Sequence, residues 1–281
     1  MAWHEWPLMM FTVLAQTSVG SFLVLGGILL SGQLSLNEET RLHKAMFFLW
    51  ALMGLGFMAS TAHLGSPLRA VNALNQLGSS WLSNEIFFGS LFFAAGGFYW
   101  LLSILNKGSV QARKGLLAAA MLMGIVFMYA MIKVYLIDTV PTWNNMFTPL
   151  GFILTMLLSG LLFAQLLLAG AQSKLTGLYK ILPIAGAAAA VISLVVTVLQ
   201  MIDLSSINSA VTAASGIIDN MQQLQLIRGA LMLAALALWF KPLITKNKPT
   251  TLLLVPAFVL IFVSEFIARG IFYGLHMTIG M

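Results

Sequence analysis

Two residues of this 281-residue chain are placed by type and spacing to move protons: His63 and Glu85. His63 closes one long apolar run and Glu85 opens the next. Consecutive helices run antiparallel, so side chains at their facing ends share a depth and can be adjacent. An imidazole beside a carboxylate in a semi-apolar pocket can take up and pass on protons near neutral pH. The alternative reading is structural, with both residues capping or bridging their helices. Between them runs Gly65-Ser66-Pro67-Leu68-Arg69. Ser66 suits an N-cap and Pro67 a first helical position. Leu68, Val71 and Leu74 share a face and Gly78 offers a stop, which predicts a short helix over 67–77 roofing the mouth between the two runs.

Other ionisable groups have quieter readings. Glu265 and Arg269 are four apart, the spacing of an intrahelical ion pair that neutralises itself. Lys133 can snorkel to headgroups. Arg69 and Arg228 clamp carboxylates of a partner or meet lipid phosphate. His4 and His43 read as loop residues, and His276 as an interfacial residue of a short tail. Cysteine is absent, which removes thiolate zinc sites, protein-held iron–sulfur clusters and disulfides together. No metal site is expected.

The elements that must position these groups follow from composition. The chain is 60% hydrophobic and only 8% charged, against about 25% charged in a typical soluble domain. A soluble enzyme, a nucleic-acid binder and a disordered chain are excluded. A bilayer core takes about 20 apolar residues as helix. Eight such runs occur, at about 8–30, 45–64, 86–105, 116–136, 148–170, 181–202, 226–244 and 251–272. The seventh is the weakest, with Arg228 near its start. The expectation is an all-α, polytopic membrane helix bundle with eight transmembrane helices, forming a single integral membrane domain over 1–281.

Loop charge sets the orientation. Ten of the 14 basic residues follow odd-numbered spans: Arg41, Lys44, Lys107, Arg113, Lys114, Lys174, Lys180, Lys241, Lys246 and Lys248. The positive-inside rule then puts both termini outside, with Trp3, Trp6, Trp81 and Trp143 at the outer interface. No span interior holds a histidine for a heme. Gly-rich phosphate loops and hydrolase or zinc motifs are missing as well.

Several separated blocks resemble one family in the right order. They are Trp3-His4-Glu5-Trp6-Pro7-Leu8, Ala62-His63-Leu64-Gly65-Ser66-Pro67, Leu82-Ser83-Asn84-Glu85-Ile86, Asp138-Thr139-Val140-Pro141-Thr142-Trp143 and Arg269-Gly270-Ile271-Phe272-Tyr273-Gly274-Leu275-His276-Met277-Thr278. Together they resemble the membrane anchor subunit of bacterial anaerobic dimethyl sulfoxide reductases, over nearly the whole chain. The resemblance implies an inner-membrane subunit, non-catalytic alone, that oxidises menaquinol in anaerobic respiration. Electrons would pass to a four-cluster iron–sulfur subunit and on to a molybdopterin catalytic subunit, in a heterotrimer. It also implies that His63 and Glu85 serve menaquinol, with Ser66 and Arg69 beside them as candidate binding residues. Two alternatives stand next to this reading. One is the anchor of a related polysulfide or nitrite reductase-type complex. The other is a transporter or structural scaffold, against which the apolar spans count.

Overall fold

A computed structural model describes residues 3–62, 67–207, 214–218 and 220–277. Nine α-helices occur among them: α1 (Trp6–Ser31), α2 (Leu36–Ala45), α3 (Phe47–Ala62), α4 (Trp81–Ile104), α5 (Val110–Tyr135), α6 (Phe147–Gly170), α7 (Leu178–Leu204), α8 (Met221–Ile244) and α9 (Thr251–Gly274). Eight stretches are long and apolar enough to cross a membrane, with α2 and α3 together supplying the second. The all-helical, eight-span expectation is therefore met.

Three starts differ from expectation, for the same reason. α4 begins at Trp81, α5 at Val110 and α8 at Met221, each five or six residues before the apolar run. Polar residues such as Ser83, Asn84, Gln222 and Gln223 are competent in a first helical turn, where apolar content alone does not mark the boundary. Glu85 consequently lies one turn inside α4 and is buried, rather than at a helix edge.

The α2 helix lies outside the apolar runs. Its start is a capping box: Ser35 bonds the N3 backbone while Glu38 reaches back to the cap. Glu38 also accepts from the Lys174 backbone N–H at 2.6 Å, and Arg41 Nε donates to the Ala171 carbonyl at 2.7 Å. His43 is accordingly not a loop residue. It is buried on α2, with Nε2 2.8 Å from the Tyr99 hydroxyl. Two residues do what their types suggest between α3 and α4. Pro67–Gln76 forms a 3-10 helix, and Gly78 ends the segment with φ +86°.

The α1 helix is the central column, packed against α3, α5, α6 and α9. Its closest approach is to α6 at Gly20 and Gly160. A Cβ on Gly160 would lie 2.7 Å from the Gly20 Cα, so the two backbones touch only because neither residue has a side chain. The other main pairs are α4 with α5, α8 with α9 and α6 with α7. The connections after α1, α4, α6 and α8 lie at one end and those after α3, α5 and α7 at the other, which gathers the basic loops at one end of the bundle. The described residues at the start and finish of the chain meet at the other end, where both His4 and His276 border one cavity.

Candidate functional site

That cavity is about 930 Å³ and lies between α1, α3, α4, α5 and α9. Leu8, Phe11, Phe57, Leu82, Ile86 and Val134 make most of its wall apolar. Glu85 is set into this wall from the first turns of α4 and is only 4% exposed. Its Oε1 is buried without a hydrogen-bond partner among the described residues. An unsatisfied carboxylate oxygen in an apolar setting is costly, and a ligand hydroxyl would relieve it.

A second polar feature borders the same space. Tyr135 and Tyr273 bring their hydroxyls to 2.7 Å, both buried, from α5 and α9. Trp143 closes the rim, stacked on Phe272 and donating to its carbonyl at 2.7 Å. His276 lies against the Trp143 ring, with ring centres 4.8 Å apart. Trp143 is thus turned into the protein rather than set in a lipid-facing belt, whereas Trp6 and Trp81 are exposed as expected.

Of the four site residues expected from sequence, the structure places Glu85 on the cavity and puts Arg69 on the 3-10 helix Pro67–Gln76. His63 and Ser66 lie outside the described residues. The last turn of α3 borders the cavity through Ser60 and Thr61, directly before them in the chain. No group of three or more metal-ligating side chains occurs among the described residues.

Comparison with known proteins agrees with the block resemblance. Residues 1–275 match the family model for the DMSO reductase anchor subunit, DmsC. The chain belongs to that family. It is 46% identical over 280 residues to the C subunit of anaerobic dimethyl sulfoxide reductase from Escherichia coli (strain K12), covering 99% of this chain and 97% of the relative. The anaerobic dimethyl sulfoxide reductase subunit YnfH of the same organism is 45% identical over 283 residues, with the same coverages. The corresponding C subunit from Haemophilus influenzae is 41% identical over 278 residues, again covering 99% and 97%. This protein is therefore a multi-pass membrane anchor subunit.

One feature of this anchor subunit departs from the expectation set by spacing. Glu265 and Arg269 do not bond each other. Glu265 Oε1 lies 3.3 Å from Arg228 Nη2, in an ion pair between α9 and α8. Thr155 donates to Glu265 Oε2 at 2.6 Å. Arg228 also donates to Ser193 and Thr197 on α7, each at 2.7 Å, so it faces the interior and not lipid phosphate or a partner. Arg269 instead donates to Gln16 at 3.1 Å and to Thr155 at 3.0 Å, with its guanidinium 3.7 Å above the Phe152 ring. One signal is present in the sequence: Glu265, Arg269 and Tyr273 recur every four residues and so form one stripe on α9. Spacing along a helix cannot show that this stripe faces four other helices.

Lys133 lies 5.9 Å over Trp81 and 5.8 Å over Tyr129, a cation held on aromatic faces at the cavity end.

Proposed function

We propose that this anchor subunit binds menaquinol in the 930 Å³ cavity, oxidises it there and hands the electrons to an iron–sulfur subunit. The observation that carries this reading is Glu85, a buried carboxylate with an oxygen unpartnered among the described residues, on the wall of a mostly apolar cavity. A quinol has matching chemistry: an apolar ring and tail, and hydroxyls that donate hydrogen bonds. Glu85 accepts one of those protons, and His63, which follows the cavity-lining end of α3, accepts or relays the other. Ser66 and Arg69, on the same connection, are the candidate head-group residues.

The balance is simple. A quinol gives up two electrons and two protons on becoming a quinone. Dimethyl sulfoxide takes up two electrons and two protons to give dimethyl sulfide and water. Among the described residues this chain holds no cluster of metal ligands, so the electrons leave through a neighbouring subunit. A four-cluster iron–sulfur protein followed by a molybdopterin catalytic subunit supplies that route, as a heterotrimer. The positive-inside distribution turns the cavity end toward the outside of the bacterial inner membrane, with the iron–sulfur subunit docked above it. The identity to dimethyl sulfoxide reductase subunits over almost all of this chain supports that acceptor above polysulfide or nitrite.

The test is Glu85→Gln and, separately, His63→Ala in the assembled complex. Quinol-dependent sulfoxide reduction should fall by about 10²–10⁴-fold, the usual loss with a positioned proton acceptor. Reduction driven by an artificial donor that feeds the iron–sulfur subunit directly should stay unchanged. Normal binding of a quinol analogue and normal quinol turnover in both variants would end the proposal. A reporter fused after Met281 should be active outside the membrane; cytoplasmic activity would invert the orientation.

A further inference from the structure

Further along α9 lies a second, much smaller cavity of about 50 Å³, between α6, α7, α8 and α9. Its wall differs in kind from that of the large cavity. Thr148, Thr155, Ser193, Thr197, Gln200 and Gln225 line it together with Arg228, Glu265 and Arg269. The charges do not cancel. Two guanidinium groups, 7% and 3% exposed, stand against the single carboxylate of Glu265 among the described residues of the wall. A lone positive charge inside an apolar bundle is expensive, because no water or counterion screens it. Such a charge is retained when something neutralises it.

Hydrogen bonding leaves the same surplus. Arg228 Nε and Arg269 Nε are buried with no partner among the described residues. Both residues border the cavity. Gln225 Oε1 on the same wall is also buried with no partner among the described residues, but a neutral amide oxygen cannot cancel the charge, and the other acceptors are in use. Glu265 takes bonds from Arg228 and Thr155, and Gln16 and Thr155 accept from Arg269. What is missing is negative charge, and the cavity has room for a few particles the size of a water.

We infer that the cavity bounded by Arg228, Arg269, Gln200 and Gln225 is a binding site for one small monovalent anion of the halide class. The anion neutralises the guanidinium surplus and locks α8 and α9 against α6 and α7. This site is independent of quinol binding. It shares no lining residue with the large cavity, and its role is to hold the helix that carries Tyr273 and Phe272, the residue on which Trp143 stacks.

The probe is bromide in place of chloride, with the full-length chain purified in its complex. Anomalous scattering should show a bromide peak in the cavity. Thermal unfolding in sodium chloride should exceed that in sodium gluconate of equal ionic strength by a few degrees, saturating with chloride, because a ligand that binds only the folded state stabilises it. Gln225→Glu provides a built-in carboxylate at the same wall. It should fold, raise stability in gluconate to the chloride level, and abolish the chloride dependence. Absence of a bromide peak with identical unfolding in the two salts would overturn the site, showing water or a counter-charge from within the chain. A chloride effect that persists unchanged in Gln225→Glu would also overturn it, as a general salt effect.

Discussion

Glu85 and Glu265 are both glutamates buried in the bundle, 4% and 1% exposed, yet they have opposite surroundings. Glu265 has both oxygens engaged, one by Arg228 and one by Thr155. Glu85 faces an apolar cavity with Oε1 unpartnered among the described residues. The first is built into a lattice of bonds joining α6, α7, α8 and α9. The second has, among the described residues, an unmet demand that something entering the cavity can meet. Depth in the membrane therefore does not separate a carboxylate bonded into the bundle from one left open to a cavity; the count of satisfied oxygens does.

Removing each carboxylate in turn puts this contrast at greatest risk. Glu85→Gln should lower quinol turnover by about 10²–10⁴-fold while thermal unfolding of the complex stays close to wild type, because no bond within the described residues is lost at Oε1. Glu265→Ala should do the reverse. It strands Arg228 and should cost about 3–5 kcal/mol of stability, read as a lowered unfolding midpoint. A quinol-analogue affinity unchanged in whatever complex still folds would complete the contrast. Equal losses of stability in the two variants would dissolve it.

Smaller effects refine the picture. Gly160→Ala should destabilise by about 1–3 kcal/mol through forced separation of α1 and α6, since the added methyl meets the Gly20 backbone at 2.7 Å. Tyr135→Phe removes one hydroxyl of the 2.7 Å pair and should cost about 1 kcal/mol, with any loss of quinol affinity assigning the pair to the cavity's ligand. Lys133→Met is expected to change stability by less than about 1 kcal/mol, because its cation rests on exposed Trp81 and Tyr129 rings.

Much of this is legible in the linear sequence. The eight spans are readable because a bilayer demands a fixed apolar length, and each run of about 20 residues answers that demand by itself. Glu85 can be singled out for the same reason, as an ionisable group where such groups are costly. The α2 helix, opened by the Ser35–Glu38 capping box, carries too little apolar content to stand out as a span and is not among the elements expected from sequence. The burial of His43 is hidden with it, since that depends on Tyr99, 56 positions further along.

Local composition is enough to set the number of spans, their alternating direction and the end of the bundle that carries the basic loops. Those properties depend on the energy of single helices in lipid. Which faces meet is a matter of packing across the bundle. Packing took Glu265 from its helical neighbour Arg269 and paired it with Arg228, and it left Glu85 on an open cavity. Both outcomes depend on the rotation of each helix about its axis. In a bundle apolar on nearly every face, no hydrophobic stripe records that rotation; it is set by contacts between small residues such as Gly20 and Gly160, far apart in the chain.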